Sequence, residues 1–233
     1  LSYFLNAPIK TNSFTEAANY KYFVDKSEFI SKLNENIKTP EKYVCITRPR
    51  RFGKTLNAMM LASYYSKNAN FKDLFDKLKI SKSKSYLEHL NKHNVVYITF
   101  NELPNSNCSY NEFIGRYIDF LKSDLRRMYS EIEIDQGMLM SDVFNQVYNQ
   151  TGESFIFIID EWDYIFNNNL FSEEDRKSFL EFLRDLLKDK PYVELAYMTG
   201  VLPIAKYSAG SALNMFLEFN IMNDHMYDKY FGF

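Results

Sequence analysis

Five apolar residues in succession, Phe155-Ile156-Phe157-Ile158-Ile159, run directly into the acidic pair Asp160-Glu161. An unbroken apolar run of this length reads as a strand buried on both faces, not as a half-exposed alternating one. Such a strand needs helices above and below it, which points to an α/β chain with a mostly parallel sheet flanked by helices. Runs of the same kind occur at 43–47, 95–100 and 193–198, with a fainter one near 216–221. Helical patterns separate them, at 29–33, from Gly53 onward, at 110–129, at 138–149 and at 171–188. Ser172 stands three residues before Asp175 at the start of the last, close to a capping box. The lysine-rich stretch 71–92 also reads as helical with a solvated face, and the opening stretch to about Asn19 as polar and irregular.

Between the first strand and the helix after it lies Thr47-Arg48-Pro49-Arg50-Arg51-Phe52-Gly53-Lys54-Thr55. A strand, a loop ending in Gly-Lys-Thr and a helix form the context of a phosphate-binding loop. The helix start offers unpaired N–H groups and a partial positive charge to an anion. Gly53 lets the backbone approach a phosphate, Lys54 supplies a mobile charge for the β and γ phosphates, and the Thr55 hydroxyl suits Mg²⁺. The pattern departs from the usual one at Arg48, where a glycine normally stands, and at Pro49, which removes an N–H. Taken alone, the segment reads equally well as a basic turn capping a strand.

The acidic strand end shifts that balance. Asp160 has the form of a Walker B aspartate that holds the magnesium shell, and Glu161 beside it that of a general base for water. Ligand crevices in open α/β sheets lie at the carboxyl ends of strands, where both segments would fall. Thr199, near the end of the fourth strand, is the candidate sensor of the γ-phosphate. The candidate nucleotide contacts are thus Arg50, Arg51, Phe52, Gly53, Lys54, Thr55 and Leu56; the candidate metal ligands are Thr55 and Asp160; and the candidate catalytic groups are Glu161, Lys54 and Thr199. The expected cofactors are ATP and Mg²⁺. Arg50 and Arg51 suit either phosphates or the acidic strand end, Asp163 is favoured as structural with an arginine as its partner, and Trp162 reads as packing. Tyr22-Phe23-Val24 could wall a base pocket, with core packing the favoured role. His89, His93 and His225 show no ligand spacing and read as ordinary.

Four segments together resemble the AAA-ATPase-like family: Tyr22-Phe23-Val24-Asp25-Lys26, the loop 47–55, Ile159-Asp160-Glu161-Trp162-Asp163 and Thr199-Gly200-Val201-Leu202-Pro203-Ile204-Ala205-Lys206. The closing Tyr230-Phe231-Gly232-Phe233 is similar to the end of that family's domain. Arg at the position of Arg48 is typical of the family, and Tyr is usual where Trp162 stands. The resemblance implies a P-loop NTPase fold of the ASCE type, with a sensor strand between the Walker A and Walker B strands. It also implies helical and PD-(D/E)XK nuclease-like domains beyond Phe233, and nucleic acid is expected as a partner only through them. The expected organisation is an N-terminal extension over residues 1–40 packing on a P-loop ATPase domain over 41–233.

The first expectation is an ATPase whose hydrolysis drives a conformational change. A nucleotide-binding switch or scaffold with little turnover is the alternative, followed by an accessory module of a nucleic-acid-acting protein. A net charge of −2 does not favour the last. No arginine finger can be selected, and one could come from a second copy, so homo-oligomerisation stays open. No apolar run reaches the length of a membrane span, so no membrane partner is expected. Two distant cysteines, Cys45 and Cys108, suit a reducing compartment, and a cytoplasmic location is expected.

Overall fold

The structure is a computed structural model that describes residues 2–207, 212–223 and 225–232, without the side chains of residues 9–11. Five strands form one sheet, β1 (Tyr43–Thr47), β2 (Asn94–Thr99), β3 (Phe155–Asp160), β4 (Val193–Gly200) and β5 (Leu217–Phe219). Their order is β2-β3-β4-β1-β5 and every pair is parallel. β4 thus lies between β1, which feeds the Gly-Lys-Thr turn, and β3, which ends in Asp160. This is the P-loop NTPase arrangement of the ASCE type.

Successive strand residues point to opposite faces, and two helical layers form on them. On one side Val44, Ile46, Tyr97, Ile158 and Tyr197 meet α1 (Pro8–Ala18), α2 (Glu28–Asn34), α3 (Lys54–Tyr65), α4 (Lys72–Phe75) and α5 (Tyr86–His89). On the other, Cys45, Val96, Phe157, Ile159 and Met198 meet α6 (Tyr110–Met128), α7 (Met140–Thr151), α8 (Glu173–Leu187) and α9 (Ile204–Tyr207). Ser172 caps α8 by accepting from the Asp175 N–H while its own N–H donates to the Asp175 carboxylate, and Ser109 does the same with Glu112 for α6. Both cysteines are buried. Among the described residues no helix is long and apolar enough to cross a membrane.

Two local readings are corrected. The opening stretch is not irregular: α1 starts on Pro8, whose missing N–H costs nothing at a helix start. Phe14 anchors it, fully buried and stacked on Phe75 at 5.7 Å. The stretch 71–92 is not one helix but α4, a 3-10 turn over Lys79–Lys82, and α5. Of its buried residues, Phe75, Leu78, Tyr86 and Leu90 fall at helical spacings, which the sequence pattern reflects, while Ile80 breaks the period inside the 3-10 turn. After α5, Asn91, at φ +54°, donates to the carbonyls of Ser63, Tyr64 and Ser66 and so satisfies the end of α3.

Upstream of α1, residues 4–6 run antiparallel along the outer edge of β2. Asn6 N–H donates to the Val95 carbonyl at 2.7 Å, and Tyr97 N–H to the Phe4 carbonyl at 3.0 Å. The buried Asp124 carboxylate accepts from the N–H groups of Tyr3, Phe4 and Leu5.

The histidines are less scattered than their sequence positions suggest. His89 Nδ1 lies 3.0 Å from His93 Nε2, and His93 Nδ1 lies 2.6 Å from Glu194 Oε2 at the start of β4. Burial pushes the Glu194 carboxyl up, but hydrogen bonds from His93 and Ser154 and the charge of Lys38 outweigh it and hold the group down to about 2. A depressed carboxyl stabilises the fold above its ordinary value of 4.5 and loses that contribution as pH falls toward 2. Glu194→Gln is therefore expected to cost about 3 kcal/mol at pH 7 and to flatten the loss of stability between pH 4.5 and 2. Urea titrations at pH 7 and pH 3 check it; an equal cost at both would remove the assigned role.

Candidate functional site

The β1 ladder runs on for one residue, Arg48 N–H donating to the Gly200 carbonyl at 3.1 Å. After it the chain turns sharply, with Arg51 at φ +68° and Gly53 at φ +78°. A Cβ on Gly53 would meet nothing within 4 Å, so the position requires glycine for its left-handed backbone and not for space. α3 begins at Lys54 with no side-chain cap, leaving its first N–H groups available to a ligand. Lys54 is 9% exposed, and its ammonium donates to the Pro49 carbonyl at 2.7 Å. Burial lowers its pKa, while Asp160, Asp163 and Glu161 pull it back up.

Asp160 ends β3 with no exposed surface. Its carboxylate accepts from the Glu161 N–H at 2.9 Å and from the Tyr97 hydroxyl at 3.4 Å, and the Thr55 hydroxyl lies beside it. Burial raises its pKa; the Thr55 and Glu161 bonds and the Lys54 charge work against that. Glu161 follows at φ +50°, a conformation a side-chain-bearing residue holds only under constraint. Burial raises its pKa, Asp160 adds to the rise, and a bond from Asn101 Nδ2 to Oε1 at 3.1 Å opposes it.

Thus Lys54, Thr55 and Glu161 border one crevice at the carboxyl edge of the sheet, a cavity of about 390 Å³ that Arg50, Asn167 and Gly200 also line, while Asp160 lies fully buried and is not among its walls. Arg50 and Arg51 make no ion pair among the described residues. Thr199 is not brought into this space. It is fully buried, and its hydroxyl donates to the Ile46 carbonyl of β1 at 2.8 Å; β4 extends one residue further, so Gly200 reaches the edge instead. Asp163 does not hold an arginine: its Oδ2 accepts from the N–H groups of Val201 and Leu202 at 3.1 and 2.8 Å. Trp162 is fully buried against Phe166.

A second cavity, of about 690 Å³, adjoins the loop, and Arg51 borders both. Tyr22, Phe23, Phe52, Leu56 and Tyr230 are among its walls. Tyr22 is 70% exposed and Val24 58%, so core packing is not their role; Phe23 alone of the three packs inward, edge-on to Phe14. Asn101 and Tyr97 were given no site role from sequence, and Tyr230 entered only as part of the closing segment similar to the family's domain end. Asn101 and Tyr97 lie at the end of the strand beside β3, and that adjacency is the signal that finds them.

Among the described residues no group of three or more His, Cys, Asp or Glu is placed to hold a metal ion. The donor set still fits Mg²⁺, which takes one or two protein oxygens and completes its shell with phosphate and water. The buried Asp160 carboxylate touching the Thr55 hydroxyl is such a pair.

No curated protein matches the chain. Among solved structures it is similar to a chain in "Structure of Drosophila ORC bound to DNA", with a TM-score of 0.37 and 10% identity over 94% of this chain and 96% of that one. That likeness is too loose to bear on the site. A family model described as "Predicted AAA-ATPase" matches residues 8–209, nearly the whole of the α/β core including both edges of the crevice. The chain belongs to the AAA-ATPase-like family.

Proposed function

We propose that the chain binds ATP with Mg²⁺ at the crevice and hydrolyses it, using the released energy to drive a conformational change. The observation that carries this reading is the contact of the Thr55 hydroxyl with the buried Asp160 carboxylate, beside Lys54 at the start of α3. In it, the first N–H groups of α3 and the Lys54 ammonium, released from the Pro49 carbonyl, take the β and γ phosphates. Arg50 and Arg51 neutralise phosphate charge from the solvent side. Thr55 and Asp160 hold Mg²⁺, which when bound neutralises charge on the phosphate oxygens. Glu161 accepts the proton of the attacking water, and Asn101 holds its carboxylate. Phe52 and Leu56 lead toward the aromatic cleft, which has room for a base. Thr199 acts at one remove, fixing β4 against β1.

One observation favours a switch with little turnover: the Glu161 carboxylate is already engaged by Asn101. Binding is common to both readings and is tested first. Lys54→Ala is expected to weaken Mg·ATP binding by about 10- to 100-fold, the effect of a charge-assisted contact. Calorimetric titration with and without Mg²⁺ measures it, and equal affinity in parent and variant removes the role given to Lys54.

A further inference from the structure

We propose that residues 227–232 form a clasp on the phosphate loop, with Arg48 as its positioning residue, so that docking of this segment and occupancy by nucleotide are coupled. The proposal deepens the nucleotide reading and rests on it. Arg48 occupies the place of a glycine, yet its guanidinium does not border the crevice. It is 2% exposed, donates to the Phe219 carbonyl at 3.0 Å, reaches Asp228 at 3.3 Å and lies over the Phe231 ring at 5.2 Å. Two more bonds join the same partners. Gly232 N–H donates to the Phe52 carbonyl at 3.2 Å, and Asn57 Nδ2 to the Tyr230 carbonyl at 3.0 Å. Attachment points at 48, 52 and 57 bracket the whole phosphate-binding stretch. From the far side Lys26 donates to the Lys229 carbonyl, and Phe29 packs on Tyr227, Tyr230 and Phe231.

The bond at Phe52 carries the coupling. A trans peptide points its carbonyl and its N–H in opposite directions, and the chain has no cis peptide among the described residues. With the Phe52 carbonyl turned to Gly232, the N–H of Gly53 is turned the other way, away from the clasp. Arg51, just before this peptide, is left-handed at φ +68°, a conformation that a side-chain-bearing residue holds only with support from outside. Undocking removes that support and takes the Asp228 carboxylate and the Phe231 ring away from the buried Arg48 charge. Tyr230 and Gly232 also line the aromatic cleft, so a bound base rests on the same segment. A ligand that binds the clasped loop more tightly must tighten the clasp by the same factor.

The test uses the full chain, Arg48→Lys and Gly232→Val. Arg48→Lys keeps the charge but loses the fork. Gly232→Val puts a β-branched residue at φ +92°, with its Cβ 3.6 Å from the Phe52 ring, at a position outside the core. Mg·ADP affinity is measured by calorimetry, and amide exchange of the peptide 227–232 is followed with and without Mg·ADP. Both variants are expected to bind about tenfold more weakly, and Mg·ADP to slow exchange in the parent by a similar factor. Parental affinity in Gly232→Val, or exchange indifferent to Mg·ADP in a parent that binds it, overturns the coupling alone. A parent that binds no Mg·ADP overturns the nucleotide reading beneath it.

Discussion

Glu161→Gln is expected to leave Mg·ATP affinity within a few-fold of the parent and to lower turnover by about 10²- to 10⁴-fold, the range of a lost general base. Gln has the shape of Glu and keeps an oxygen to accept from Asn101; only the capacity to take a proton goes. The direction of the Glu161 shift adds a second readout. Burial, with Asp160 and Asp163 beside it, raises the carboxyl above its ordinary value of 4.5. As pH falls through that raised value the base is protonated and turnover is lost, so the acid limb of the parent's rate profile should lie above the usual glutamate range. Phosphate release across pH 4–8 measures both effects. A parent without turnover favours the switch; a Gln variant as fast as the parent removes Glu161 from the chemistry.

Gly200→Ala is expected to destabilise the protein by about 3 kcal/mol, a fall in melting temperature of roughly 5–10 °C for a domain of this size. A Cβ there would stand 2.4 Å from Asp163 Oδ1 and 2.7 Å from Trp162 Cδ1. Neither neighbour can step aside. Asp163 is tied to the N–H groups of Val201 and Leu202, and Trp162 is fully buried. Thermal unfolding followed by circular dichroism tests it. An unchanged midpoint would mean that the turn after β4 yields easily, against the close approach described above.

The legible parts of the molecule were those written locally. Unbroken apolar runs marked β1 to β4 because burial on both faces leaves no room for polar alternation, and residues 53–55 and 160–161 were found because each sits at the end of such a run. What escaped depends on contacts between distant positions. Arg48 meets Asp228 and Phe231, and Asn101 meets Glu161, across separations that no periodicity encodes. α1 hid because its sequence is mostly polar around Phe14, which buries fully among the described residues. The stretch 71–92 misled because lysine suits both a long helix and a series of short turns. Thr199 was misjudged by one residue, since strand ends are the least certain boundaries in a sequence and the site begins where β4 stops.

The pairing of residues 4–6 with β2 bears on solubility. A border strand with free N–H and carbonyl groups is a template that other chains can extend. Here the template is occupied by residues 4–6, held by the buried Asp124 carboxylate, by Leu5 in the core and by the Asn6 side chain, which accepts from the Val95 N–H and donates to Asn94. Peeling them off would uncover the Val95–Tyr97 border and pull Leu5 out of the interior, so resistance to aggregation is tied to the same contacts that hold this segment in the core.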